Sequence, residues 1–121
     1  MPLRCLIVDD RPSFSEAARE LLTGQGVAVV ATAASSAEAL QRIQELRPDV
    51  ALVDIDLGEE SGFDLARRIA ENGSAVRVIL ISTHDEREFV KLIESSPTAG
   101  FLAKTELCAE NILRLLQQVE T

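Results

Sequence analysis

The chain has 121 residues, 46% of them hydrophobic and 26% charged, with a net charge of -8. That size suits one domain with a core of its own, and the balance excludes a disordered tail. It also argues against direct binding to a phosphate backbone, and no apolar run approaches the roughly 20 residues that span a bilayer.

The N-terminus, Met1-Pro2-Leu3-Arg4, lacks the features of a secretory signal, so a cytoplasmic protein is expected. Leu3 to Val8 reads as a strand buried on both faces and ends on Asp9-Asp10. Ser13 and Glu16 have capping-box spacing, and Phe14, Ala17, Ala18 and Leu21 predict the buried face of a first helix. Gly24 and Gly26 stop it, with Gly24 expected in the left-handed position. Val27 to Thr32 is the second strand. Ser35 and Glu38 repeat the capping-box spacing ahead of Leu40, Ile43 and Leu46, and this second helix ends before Pro48.

Val50 to Asp54 is the third strand, an apolar run that stops on a carboxylate. After a loop from Ile55 to Ser61, the residues Phe63, Ala66, Ile69 and Ala70 mark a third helix, stopped by Asn72-Gly73. Val76 to Ile81 is a fourth strand ending on Ser82-Thr83. Thr83 with Glu86 suits the start of a fourth helix that buries Phe89, Val90 and Ile93. Ala99 to Ala103 is a short fifth strand closed by Lys104, and Thr105 begins a last helix carrying Cys108, Ile112, Leu115, Leu116 and Val119 inward. Cys5 and Cys108 have no Cys or His neighbour to share a metal and read as small core hydrophobes.

Five strands alternating with five helices predict an α/β domain over residues 1–121, a parallel sheet covered on both faces by right-handed crossovers. Ligands of such folds sit at the carboxyl ends of the strands. Here those ends carry Asp9-Asp10, Asp54, Ser82-Thr83 and Lys104. Neighbouring carboxylates repel unless a cation joins them, and Mg²⁺ suits oxygen ligands that leave it several waters and a phosphate contact. Lys104 adds a point charge and Ser82 a hydroxyl donor. The set matches phosphoryl transfer onto a carboxylate, with Asp54 as the reacting residue.

In Leu6-Ile7-Val8-Asp9-Asp10, Val53-Asp54 followed by Leu57 and Ser61-Gly62, Ile81-Ser82 and Gly100-Phe101-Leu102-Ala103-Lys104, the chain resembles the receiver domains of two-component response regulators. The resemblance covers essentially the whole chain. It implies a flavodoxin-like (βα)5 three-layer sandwich with strand order 2-1-3-4-5. It further implies that Asp54 accepts a phosphoryl group from a sensor histidine kinase, while Asp9, Asp10, Asp54 and the backbone carbonyl of Asp56 hold Mg²⁺. Lys104 and Ser82 would contact the phosphoryl group, with Ser82 and Phe101 as a switch pair. The face of the fourth helix, fifth strand and fifth helix would then meet a partner, a second copy or an effector.

Three residues depart from the family pattern. Thr105 follows Lys104 where proline is usual, so the customary cis peptide is expected to be missing. Gly58 replaces a proline and is expected to leave its loop freer. Thr83 stands where alanine or glycine is typical and would narrow access to the site. Asp56, Thr83 and His84 are modulator candidates: an acid or a titratable ring beside the acyl phosphate could tune its lifetime.

The enzyme alternative is a small haloacid-dehalogenase-like phosphatase using Asp54 and Asp56, although Gly58 and the absence of room for a cap fit it badly. A nucleotide-binding flavodoxin-like module is a further alternative, but Asp9-Asp10-Arg11-Pro12 offers no glycine-rich phosphate cradle. The chain stops after the fifth helix, leaving either a free-standing receiver or the receiver of a longer regulator with a DNA-binding effector domain beyond it.

Overall fold

The structure is a computed structural model that describes residues 2–83 and 89–119, the side chains of 118 and 119 excepted. Its elements are β1 (Arg4–Val8), α1 (Pro12–Gly24), β2 (Ala28–Ala33), α2 (Ser36–Leu46), β3 (Val50–Asp54), α3 (Gly62–Glu71), β4 (Arg77–Ser82), α4 (Val90–Glu94), β5 (Gly100–Ala103) and α5 (Ala109–Val119). The five strands form one parallel sheet in the order β2-β1-β3-β4-β5. This is the expected flavodoxin-like arrangement. Among the described residues no helix is long and apolar enough to cross a membrane.

Strand alternation divides the core in two. Leu6, Val8, Ala51, Val53, Val78, Leu80 and Phe101 face α2, α3 and α4, whereas Cys5, Ile7, Val50, Leu52, Ile79, Ile81 and Leu102 face α1 and α5. Because β1, β3 and β4 are covered on both sides, their buried stretches Cys5–Val8, Val50–Val53 and Val78–Ile81 are continuously apolar, with Arg4 and Arg77 at the half-buried starts of β1 and β4.

Several local readings need correction. The Ser13–Glu16 capping box does not start α1: Arg11 is the N-cap without a side-chain cap, and Pro12 opens the helix, where its fixed φ and missing N–H cost nothing. The buried face is Ser15, Ala18 and Leu22, leaving Ala17 exposed and Leu21 44% exposed. Gly26, not Gly24, takes the left-handed conformation, at φ +92°. In α2 the Ser35 hydroxyl does cap the helix, accepting from the Glu38 N–H, while the Glu38 carboxylate accepts from the Ala34 N–H.

The loop after β3 contains a two-residue hairpin, Asp56–Leu57 against Glu60–Ser61. Gly58 turns it at φ +73°, a value closed to proline, so this glycine fits a paired turn and not the freer loop expected. In α3, Leu65 is buried and Ala70 exposed. Val90 of α4 is exposed, with only Phe89 and Ile93 half-buried against the core. Glu86, the expected helix-start partner of Thr83, lies outside the described residues. The last helix does not start at Thr105: Lys104–Glu106 form a 3-10 turn and α5 begins at Ala109.

Cys5 is fully buried, and burial pushes its thiol up to about 12. Cys108 is half-exposed rather than core, its Sγ accepting from the Asn111 N–H at the start of α5. Thiolate is the reactive form. Iodoacetamide at neutral pH is therefore expected to label Cys108 alone in the native protein and both cysteines in denaturant. Equal native labelling of Cys5, read by peptide mass, would contradict this packing.

Candidate functional site

Strand register assembles the site step by step. Val8 pairs with Val53, which sets Asp9 beside Asp54; Asp54 pairs with Ile81, which sets Ser82 one residue further; and Ser82 pairs with Ala103, so Lys104 follows at the same sheet edge. Asp9, Asp54 and Ser82 are 2%, 5% and 2% exposed, polar groups buried where the sheet ends. Asp10 is exposed.

Lys104 links the acids. Its Nζ lies 2.6 Å from Asp9 Oδ2 and 3.0 Å from Asp54 Oδ2. The first contact is an ion pair at close range. The other oxygens are held by backbone: Asp9 Oδ1 accepts from the Arg11 N–H at 2.8 Å, and Asp54 Oδ1 from the Asp56 N–H at 3.0 Å. Burial pushes the Asp54 carboxyl up, against the Asp56 amide and Lys104, which pull it down; repulsion from Asp9 adds to the rise. Burial lowers Lys104, but its contacts with Asp9 and Asp54 outweigh that and hold it above its ordinary value.

Asp9, Asp10 and Asp54 each place one carboxylate oxygen within 4.8 Å of the others. Three formal negative charges face one ammonium, leaving two uncompensated. A hard divalent cation fits that donor set and its uncompensated charge.

Two glycines shape this pocket. A Cβ on Gly58 would come within 3.2 Å of Asp10 Oδ2, so the glycine leaves that carboxylate room. Gly62 is more constrained: its N–H donates to Ile55 O at 2.8 Å, and a Cβ there would collide with the Asp54 carbonyl oxygen and come within 2.9 Å of the Asp54 carbonyl carbon. Ser61 caps α3 just before it, accepting from the Phe63 N–H. Gly62→Ala is expected to cost roughly 2 kcal/mol through forced backbone displacement, lowering the melting temperature by about 8 °C. Calorimetry showing an unchanged transition would refute the close approach.

The remaining candidates are less central. Asp56 meets Asp54 through its amide, and its carboxylate is exposed. Thr83 is exposed after Ser82, and His84 lies outside the described residues. Phe101 is 9% exposed, its ring in the core facing α2, α3 and α4. All described peptide bonds are trans, and Thr105 does not keep Lys104 from the acids. Sequence reading took Phe14 for core alone; its ring lies under the Lys104 ammonium, 4.2 Å from Nζ to the centroid. A hint was available in its place four residues after Asp10, in the first turn of the helix that follows the acids.

Among proteins of known kind, the chain is similar over 94 residues (34% identity) to a protein-glutamate methylesterase/protein-glutamine glutaminase of Nocardioides, covering 77% of this chain and 26% of that protein. It is 35% identical over 115 residues to a protein of Mycobacterium tuberculosis described as "Probable transcriptional regulatory protein NarL", covering 94% of this chain and 53% of that protein. The chain thus spans from a quarter to about half of these relatives. In structure it is similar to the signal receiver domain of NarL from Mycobacterium tuberculosis, with a TM-score of 0.84, 32% identity, and coverage of 98% of this chain and 97% of that one.

Nothing in these likenesses supports the haloacid-dehalogenase-like alternative. Residues 5–117 match the response regulator receiver domain, a span that takes in both aspartates of the first strand end, Asp54, Ser82 and Lys104, and the chain belongs to that family of phosphoacceptor signalling domains.

Proposed function

We propose that residues 1–121 form one receiver unit in which Asp54 accepts a phosphoryl group from the phosphohistidine of a sensor histidine kinase. The observation that carries this is the Lys104 ammonium held between Asp9 and Asp54 at the sheet edge. A carboxylate oxygen of Asp54 forms the new O–P bond as the N–P bond breaks. The electron pair of that bond stays on the ring nitrogen, and with the other nitrogen protonated the imidazole departs neutral. Such a transfer needs mainly positioning and charge stabilisation.

Lys104 would shift from the Asp54 carboxylate to a phosphoryl oxygen, retaining Asp9, and Ser82 would donate its hydroxyl to another. Asp9, Asp10 and Asp54, with the Asp56 backbone carbonyl, would hold Mg²⁺, which when bound neutralises charge on the phosphoryl oxygens. The Asp56 amide would keep Asp54 oriented. Asp56, Thr83 and His84 would tune the lifetime of the acyl phosphate.

The new contacts favour one of two states, and Ser82 with Phe101 forms the proposed switch between them. Its readout is the face of α4, β5 and α5, offered to a partner, a second copy or an effector domain. The likeness to a transcriptional regulator favours a DNA-binding effector C-terminal to this segment; the net charge of -8 makes this unit itself a poor ligand for nucleic acid. We place the unit in the cytoplasm, with no enzymatic activity beyond its own phosphorylation and dephosphorylation.

Acetyl phosphate with Mg²⁺, followed by intact mass, tests the reading. One phosphoryl group per chain is expected, lost when the metal is chelated. No uptake from any donor would end it, and steady turnover of a phosphate ester would favour a phosphatase instead.

A further inference from the structure

We infer that Phe14 is a positioning residue for the phosphoryl-transfer site, acting through Lys104. The inference rests on the acceptor reading above and extends it to a residue on α1. Lys104 sits on a 3-10 turn with a flexible four-carbon stem, and its backbone alone does not determine where the ammonium goes. Two carboxylates pull it into the site from the ends of β1 and β3. The ring of Phe14, in the first turn of α1, supplies the next wall: the ammonium lies over its face at 4.2 Å from the centroid.

This is the geometry in which the negative face of an aromatic ring attracts a cation, and it strengthens when water is excluded. The Lys104 side chain is 9% exposed, so little water competes. The ring also differs from the two acids in a way that matters for transfer. Once Asp54 carries a phosphoryl group, its oxygen is no longer the same partner, and Lys104 must turn toward the new oxygens. Phe14 binds no proton and has no fixed hydrogen-bond direction, so it holds the ammonium at the site edge both before and after that turn. With α1 opening at Pro12, Phe14 is the third residue of the first turn.

The test compares the initial rate of labelling by acetyl phosphate and Mg²⁺ in the parent, Phe14→Leu and Phe14→Tyr, each also in a Lys104→Ala background. Leucine keeps apolar cover without the ring face; tyrosine keeps the face. Phe14→Leu is expected to slow labelling about fivefold, Phe14→Tyr to restore the parent rate, and the leucine effect to vanish without Lys104. Proton NMR adds a readout that simple packing would not move: the ε-methylene protons of Lys104 should lose their ring-current shift in Phe14→Leu and keep it in Phe14→Tyr. A Phe14→Leu rate equal to the parent, or an equal slowing in the Lys104→Ala background, overturns this inference alone. A parent that takes up no phosphoryl group overturns the acceptor reading, and this inference with it.

Discussion

Asp54→Ala is expected to take up no phosphoryl group from acetyl phosphate and Mg²⁺, while Asp56→Ala labels like the parent. The two aspartates are separated by one residue, but their surroundings differ. Asp54 is buried at the end of a central strand with Lys104 at 3.0 Å, and the Asp56 carboxylate is exposed on the hairpin. The loss should not come from unfolding. Removing Asp54 leaves Lys104 paired with Asp9 and relieves the repulsion between the acids, so the stability change should stay under about 1 kcal/mol, far below the cost of leaving a buried charge unpaired. Labelling of Asp54→Ala at the parent's level, with the same melting temperature, would place the acceptor elsewhere.

The acceptor strand was legible because two signals coincide there: after Arg4, β1 and β3 are apolar until they stop on carboxylates, and β3 runs Val50–Asp54 as read. A strand buried on both faces has no periodicity to misjudge. Helix faces were harder. Leu21 and Val90 lie at apolar spacings yet are exposed, since a helix reading cannot know where its neighbours leave it uncovered. Pro12 outranked the Ser13–Glu16 pair because a proline at the first helical position is already committed to helical φ.

Within the site, the acids, hydroxyl and lysine were readable as strand-end residues, because the topology of parallel sheets gathers those ends. What spacing does not encode is three-dimensional approach. The contact of Gly62 with the Asp54 carbonyl joins the start of α3 to the end of β3 across the hairpin. That of Phe14 with Lys104 joins residues at opposite ends of the chain. Gly58 was visible as a departure, but the positive φ that gives it meaning was not.

Lys104→Ala is expected to slow labelling by roughly 10²–10³-fold, the effect of removing one preorganised charge donor from a developing oxyanion. Stability should fall as well. Asp9 and Asp54 would remain buried without their shared counter-charge, a loss of about 3 kcal/mol in metal-free buffer, or about 12 °C in melting temperature. Magnesium separates the two roles of the residue. A cation bound only by the folded state at a hundred times its dissociation constant returns about 2.7 kcal/mol, so saturating Mg²⁺ should nearly restore the melting temperature. It should not restore the rate, because the cation already occupies its own place in the parent's reaction and cannot also supply the ammonium. If both quantities recover together, Lys104 serves only to balance charge between two acids; if neither responds to Mg²⁺, the three carboxylates do not form a cation site at all.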